Sequence, residues 1–170
     1  MNINIDLDDR VIDFIAKETQ EKVEKINEYI KKIVFSICEE KDIKNESIGV
    51  FISSASKEEI RKINKEYRDI DRATDVLSFP IFEREEIEEL SIQNSDKSLK
   101  EIQLGDIILC LDVIKDQAIE YNTGVLRETL YMITHGMCHL MGYDHIEEDE
   151  KKEMREMEEK ILSKIGVTNE

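Results

Sequence analysis

The run HGMCHLMGYDH at residues 135–145 contains all three histidines of this 170-residue chain, His135, His139 and His145. His135 and His139 are four residues apart, so on a helix they project from the same face, one turn apart. Gly142 offers a place for the helix to end, after which the chain can bring His145 back beside the other two. Three converging imidazoles favour one zinc ion with an open fourth position, the arrangement of catalytic rather than structural zinc.

The helix predicted over residues 125–141 is apolar on its other faces. Its apolar side chains are Leu126, Leu130, Ile133, Met137, Leu140 and Met141. Such a helix packs into a core, which would hold the two histidines rigidly and place a dry wall beside the metal. Cys138 lies about 60° from His135 and about 100° from His139 around the helix. This geometry favours a core thiol over a fourth ligand.

The spacing H-x-x-x-H-x-x-G-x-x-H is also that of the metzincin peptidases, which carry Glu directly after the first histidine as general base. Gly136 occupies that position here, so the peptidase mechanism would lack the group that accepts the proton. Asp144, directly before His145, has two interpretations. It is either a carboxylate that stabilises the turn or a proton carrier close to the metal.

A second pattern lies on the helix predicted to begin after Ser56. Four basic side chains fall within an arc of about 80° on this helix. They are Lys57, Arg61, Lys65 and Arg68. Residues 56–72 hold six basic and five acidic residues, in a chain of net charge −16. The row is either one face of a solvated amphipathic helix or a set of phosphate contacts that position a nucleic-acid strand.

Strand and helix patterns interleave along the chain. They predict an α/β (α+β) fold, with a small mixed sheet of about four strands flanked by about five helices, in a single compact domain over residues 1–170. Strands are predicted near residues 3–7, 48–52, 76–79 and 102–111. Helices are predicted over 10–40 (one helix, or two with a break near 18–20), 56–69, 113–122, 125–141 and 147–165. The acidic stretch 82–100 is predicted to be an irregular surface insertion or flexible loop.

Charge and composition restrict the surroundings of the protein. A net charge of −16 disfavours nonspecific binding to nucleic acid or anionic membrane, so any RNA binding must rest on a local feature. No segment resembles a secretory signal or a transmembrane helix. Cys38, Cys110 and Cys138 are an odd number of cysteines at unrelated spacings, which indicates reduced, buried thiols. We expect a cytoplasmic protein that binds no membrane.

Three blocks of the sequence resemble, in order, the signatures of the bacterial YbeY family of rRNA maturation endoribonucleases. They are INKEYRDIDRATDVLSFP at residues 63–80, LGDIILC at residues 104–110 and HGMCHLMGYDH at residues 135–145. The resemblance covers roughly the second half of the chain, from Ser56 onward. The chain departs from the usual family pattern at Cys138, where Leu is usual, and at Ala73, where Pro is common.

The resemblance implies a small α/β protein that binds one zinc ion through the three histidines and cleaves single-stranded RNA. It implies a role in 16S rRNA 3′-end maturation and ribosome quality control, with an rRNA precursor and the ribosome or ribosomal proteins as partners. The functionally important arginine of the family corresponds to Arg68, which we expect to bind the scissile phosphate. Lys57, Arg61 and Lys65 are expected to contact the RNA.

Two other functions remain open. One is a zinc metallopeptidase-like hydrolase, against which Gly136 argues. The other is a noncatalytic ribosome-associated factor stabilised by a structural zinc ion. Structural zinc is usually closed by four protein ligands, so Cys138 or Asp144 would then be the fourth.

Overall fold

The computed structural model describes residues 1–92 and 101–167. Within these ranges the chain forms four strands and seven helices, an α+β arrangement. The strands are β1 (Asn2–Leu7), β2 (Ser47–Ser54), β3 (Val76–Pro80) and β4 (Glu101–Leu109). The helices are α1 (Asp9–Thr19), α2 (Val23–Glu40), α3 (Lys57–Arg68), α4 (Arg84–Ile92), α5 (Leu111–Tyr121), α6 (Val125–Leu140) and α7 (Glu148–Ile165).

The strands form one mixed sheet in the order β1-β2-β4-β3. β2 pairs in parallel with β1 and β4, whereas β3 pairs antiparallel with β4. This confirms the predicted small mixed sheet. Among the described strands, β3 lies at an edge of the sheet and pairs on one side only, with β4.

Helix α6 packs on the sheet and contacts β3, β4, α2, α5 and α7. The approach to β4 is closest at Gly136, where an added Cβ atom would lie 3.0 to 3.1 Å from three side-chain atoms of Ile107. Because the helix is surrounded by other elements, most of its side chains are buried. The main hydrophobic core therefore lies between the sheet and the helices around α6.

Helix α3 covers the other face of the sheet beside the edge strand. A small apolar cluster of Ile60, Leu77 and Cys110 forms there, with Phe79 packed against it. Successive side chains of a strand point to opposite faces, and Val76 accordingly belongs to the main core. Strand β3 thus separates the two clusters.

The number of helices differs from the prediction, which was wrong in expecting about five. Helix α1 ends at Gln20, whose φ of 58° is left-handed, so the alternative with a break near 18–20 is correct. Residues 84–92 form α4 rather than an irregular stretch. Ile87 and Leu90 of this helix are buried in the main core. Because they are two apolar residues within an acidic stretch, their spacing was too weak a periodic pattern to predict a helix. Residues 93–100 lie outside the described ranges.

The cysteines bear out a further expectation. Cys38, Cys110 and Cys138 are buried and free, as predicted. In the described part of the chain, no helix combines the length and the apolar character needed to cross a membrane.

Substitution of Ile87 by Ala tests whether α4 is a packed element. Because the Ile87 side chain is completely buried, we expect Ile87→Ala to lower the free energy of unfolding by about 2–5 kcal/mol, measured by chemical denaturation. Ile119 is exposed on α5, so Ile119→Ala should change the free energy of unfolding by less than about 0.5 kcal/mol. Equal effects of the two substitutions would contradict the packing of α4.

Candidate functional site

The three histidines meet at the C-terminal end of α6. Each of His135, His139 and His145 offers one ring nitrogen, and these three nitrogens lie within 4.8 Å of one another. The first two lie on α6, and the third follows the turn that ends it. The predicted convergence is therefore present, and the imidazoles can hold a metal ion. No other residue belongs to this cluster among the described parts of the chain.

The turn after α6 depends on Gly142. Its φ is +92°, and an added Cβ atom would lie 2.7 Å from both Cα and Cβ of Arg84, the first residue of α4. A side chain at this position would be both strained and in collision with backbone. The turn is closed by the amide of Tyr143, which donates to the carbonyl of Cys138 at 3.0 Å. Glycine thus permits the reversal that returns His145.

Two cations contact the Tyr143 ring in this turn. Lys41 Nζ lies 4.8 Å and Arg84 Cζ 5.5 Å from the ring centroid, distances typical of cation–π contacts. Arg84 Nη2 also lies 2.6 Å from Glu153 Oε1 on α7. These contacts join α2, α4 and α7 to the segment between the second and third histidines.

Two of the histidines have their Nδ1 atoms held by the protein. His135 Nδ1 lies 2.6 Å from Glu158 Oε2, and His139 Nδ1 lies 3.0 Å from the Tyr143 carbonyl oxygen. Both partners are acceptors, so each Nδ1 carries the proton and each Nε2 keeps its lone pair for a metal. The donor set therefore fits a metal ion bound by imidazole Nε2 atoms.

Glu158 belongs to the candidate site through its contact with His135, and the sequence analysis did not single it out. Only 3% of it is exposed, and its second oxygen, Oε1, accepts a 3.2 Å hydrogen bond from the Tyr131 hydroxyl. The available signal was its position on α7, because Glu158 follows Met154 by four residues and precedes Ile161 by three. A carboxylate among residues of an apolar helix face needs a partner. That partner is His135.

Burial sets the protonation of the groups near the site. Burial, together with positive charge on His135 and His145, lowers the pKa of His139 to about 4. His139 is therefore neutral at pH 7, the form that binds a metal. Burial raises the pKa of the Cys138 thiol, which lies in the main core. A neutral core thiol does not support Cys138 as a fourth ligand.

A cleft of about 860 Å³ opens in front of the histidines. Arg68 and Arg72 line it together with the three histidines. Among the described residues, neither arginine side chain has an ion pair, and both are exposed. Arg72 was not singled out in the sequence. The sequence could have indicated Arg72 as a cleft residue, because it follows Arg68 by four residues in the connection between α3 and β3.

The rest of the predicted basic row lies outside the lining of this cleft. Lys57 Nζ lies 3.0 Å from Asp116 Oδ2, and Arg61 Nε lies 2.7 Å from Asp71 Oδ1. Lys65 is exposed on α3. The row is therefore divided, since only Arg68 reaches the cleft.

Asp144 lines the cleft beside the histidines. Its Oδ1 accepts a 2.7 Å hydrogen bond from the backbone amide of His145, which supports its interpretation as a turn-stabilising carboxylate. Within the described parts of the chain, Oδ2 has no hydrogen-bond partner. The same side chain is thus also placed to accept a proton in the cleft.

The position that carries Glu in the metzincins faces the sheet in this protein. Gly136 packs directly on Ile107, so a larger side chain there would meet β4. This contact excludes a general base at position 136 in this fold.

Comparisons with known proteins agree on one family. The sequence profile described as Endoribonuclease YbeY matches residues 12–166. A protein named Endoribonuclease YbeY from Clostridioides difficile (strain 630) is 42% identical over 161 residues, which cover 94% of this chain and 100% of the relative. The protein of that name from Thermoanaerobacter sp. (strain X514) is 38% identical over 163 residues, covering 92% and 99%. The solution structure of TM1509 from Thermotoga maritima aligns with a TM-score of 0.55 and 27% identity, covering 96% and 88%.

Removing the charge of Glu158 tests its part in the metal site. We expect Glu158→Gln to weaken the binding of added Zn²⁺ by about 10- to 100-fold, because the amide can donate to Nδ1 and no longer fixes the ring and its tautomer. The measurement is competition with a chromophoric chelator. Glu159 is exposed on the same helix, and Glu159→Gln should leave the affinity unchanged. Equal affinities in the two variants would contradict the role of Glu158.

Gly142→Ala tests the turn. We expect it to lower the free energy of unfolding by more than about 1 kcal/mol and to weaken Zn²⁺ binding, because His145 would be displaced. Gly124 also has a positive φ, of +85°, but no atom lies within 4 Å of an added Cβ. Gly124→Ala therefore introduces strain without collision, and should leave Zn²⁺ binding intact. Unchanged binding in Gly142→Ala would show that the collision is relieved without moving His145.

Proposed function

This chain belongs to the endoribonuclease YbeY family, and we propose that it is a zinc-dependent endoribonuclease that cleaves single-stranded RNA in the cleft beside the three histidines. The observation that carries the proposal is that Arg68 lines the same cleft as His135, His139 and His145, with a guanidinium that forms no ion pair among the described residues. A site of three imidazoles and an arginine suits hydrolysis of a phosphodiester. The matching family model and the relatives are named Endoribonuclease YbeY, which supports cleavage within an RNA chain.

Zinc is the metal that the donor set supports best. Imidazole nitrogen is a favoured zinc ligand, and three protein ligands leave an open position for chemistry. The protein holds Nδ1 of His135 and His139 and directs Nε2 into the site. When bound, zinc supplies a Lewis acid that withdraws charge from a phosphoryl oxygen or activates water.

Arg68 binds the scissile phosphate in this proposal. A guanidinium is planar and donates two parallel hydrogen bonds to phosphate oxygens, so it stabilises the charge that develops there during cleavage. Arg72 lines the same cleft and contacts a neighbouring phosphate. Lys57, Arg61 and Lys65 remain predicted RNA contacts, and the ion pairs of Lys57 and Arg61 make them weaker ones than Arg68.

Asp144 is the group that accepts a proton in the cleft. One of its oxygens is held by the amide of His145, which keeps the carboxylate in place beside the ligands. Glu158 cannot take this role directly, because it is buried behind His135. Its part is to orient that imidazole.

The cellular setting proposed for this activity is the cytoplasm, where the protein would act on an rRNA precursor. Within that setting we propose 16S rRNA 3′-end maturation and ribosome quality control, with the ribosome or ribosomal proteins as partners. A net charge of −16 supports selective rather than general RNA binding, because an acidic surface repels RNA outside a local site.

The two other functions have less support. A peptidase would need a general base, and Gly136 packs on Ile107 where the metzincins carry theirs. A structural zinc site would need a fourth protein ligand. In the described residues, the cluster of possible ligands consists of the three histidines, without Cys138 or Asp144.

Arg68→Ala tests the proposed phosphate contact. We expect the rate of single-stranded RNA cleavage to fall by about 10²–10³-fold, because the transition-state charge loses its donor, while one zinc ion per chain remains bound. Cleavage is followed on gels with end-labelled RNA, and zinc by atomic absorption. Lys62 is an exposed cation on the same helix, paired with Glu58, so Lys62→Ala is the control for lost positive charge. Equal rates for the two variants would remove Arg68 from the mechanism.

The metal requirement is tested in the same assay with a chelator and with His139→Ala, both of which should abolish cleavage. Restoration by added Zn²⁺ is expected after chelation but not in His139→Ala. Cleavage that survives both treatments would rule out the proposed function, and bound zinc without any cleavage would favour the noncatalytic factor.

A further inference from the structure

An exposed aromatic ring directly precedes Arg68 in the sequence and has no part in the activity proposed above. Tyr67 precedes Arg68 near the end of α3 and is 66% exposed. Large aromatic side chains are usually buried, at least in part, because exposure forfeits their hydrophobic stabilisation. A tyrosine this exposed therefore has ring surface available to a ligand.

The Tyr67 ring is also held in place. It meets the ring of Phe79 in an edge arrangement, with centroids 5.4 Å apart and planes at 74°. Phe79 is packed against the small apolar cluster under α3, so it is a fixed support. A supported ring loses little conformational entropy when a ligand covers it.

Tyr67 and the cleft lie on opposite faces of the edge strand β3. Ser78 and Pro80, the neighbours of Phe79 on β3, both line the cleft. Since side chains alternate along a strand, Phe79 and Tyr67 lie on the opposite face of β3. Because Tyr67 and Arg68 are consecutive in α3, a nucleic-acid strand with one phosphate at Arg68 would meet Tyr67 by crossing this edge.

Charge gives an independent reason to seek a contact of this kind. The chain carries a net charge of −16, and Lys57 and Arg61 are paired with acidic residues. In the described part of the chain, Arg68 and Arg72 are the cleft-lining arginines without an ion pair, so little positive charge is available to RNA beside the histidines. Stacking of a base on an aromatic ring does not require positive charge.

We propose that Tyr67 is a stacking platform for a nucleobase of the RNA strand, adjacent to the phosphate held by Arg68. This subsite rests on the proposed function, because it presumes that RNA enters the cleft. It accepts an unpaired base of any sequence, because every base has a π-face. Bases in a duplex are already stacked and paired, so the platform selects for single strands.

The chain contains no tryptophan, which allows a direct test. Tyr67→Trp introduces the only tryptophan of the chain at the proposed platform, its fluorescence is excited selectively over that of the tyrosines, and an oligouridylate is titrated in with EDTA present to prevent cleavage. We expect its fluorescence to fall several-fold more than that of Tyr121→Trp, a control at a position that is 60% exposed at the end of α5 and outside the cleft lining. A base-free strand with the same number of phosphates should quench neither variant.

Kinetics give the second readout. In Tyr67→Ala we expect KM for single-stranded RNA to rise by a factor of roughly 5 to 100, with a much smaller change in kcat. Tyr67→Phe should retain most of the wild-type KM, because stacking does not use the hydroxyl. The melting temperature of Tyr67→Ala serves to separate a loss of binding from a loss of folding.

The outcomes distinguish this subsite from the proposed function. Quenching that is equal in the two tryptophan variants, or equal with the base-free strand, overturns the platform. An unchanged KM in folded Tyr67→Ala does so as well, even if the protein cleaves RNA. Base-dependent quenching in a protein that cleaves no RNA would instead support the platform and reject the proposed endoribonuclease.

Discussion

The close packing of α6 on the sheet is the constraint on which the rest of the site depends. Gly136 brings the helix against Ile107, and the main core surrounds its other faces. The rotation of α6 about its own axis is thereby fixed, which directs His135 and His139 out of the core at the end of the helix. The same contact removes any side chain from the position where the metzincins hold a base. One packing contact thus both orients two ligands and excludes peptidase chemistry of that type.

The remaining ligand and its supports come from segments that surround this helix end. Gly142 reverses the chain against Arg84, at the start of α4, and returns His145. From α7, Glu158 holds His135. Because a buried carboxylate is unfavourable without a hydrogen-bonded partner, Glu158 also links the docking of α7 to the orientation of a ligand. The metal site is therefore a property of the folded domain rather than of the histidine motif alone.

Charge is distributed so that a strongly acidic protein keeps a small cationic site. Lys57 and Arg61 are paired with Asp116 and Asp71, whereas Arg68 and Arg72 face the cleft without acidic partners among the described residues. Such an arrangement disfavours binding along the surface and favours it in the cleft. An exposed ring at Tyr67 adds contact area that is insensitive to charge. These features together fit a strand bound by a few specific contacts.

Local patterns were sufficient for the sheet, most of the helices, the convergence of the three histidines and the turn at Gly142. These follow from periodicity and from spacing within eleven residues of the sequence, where backbone geometry alone relates the side chains. Helix α4 was missed, since its two buried residues are recognisable only from the core that they enter. Glu158 lies 23 residues from His135, and Lys57 lies 59 residues from Asp116. Only the tertiary structure decided which of these charges meet, because such partners are set by the packing of distant elements and not by their separation along the chain.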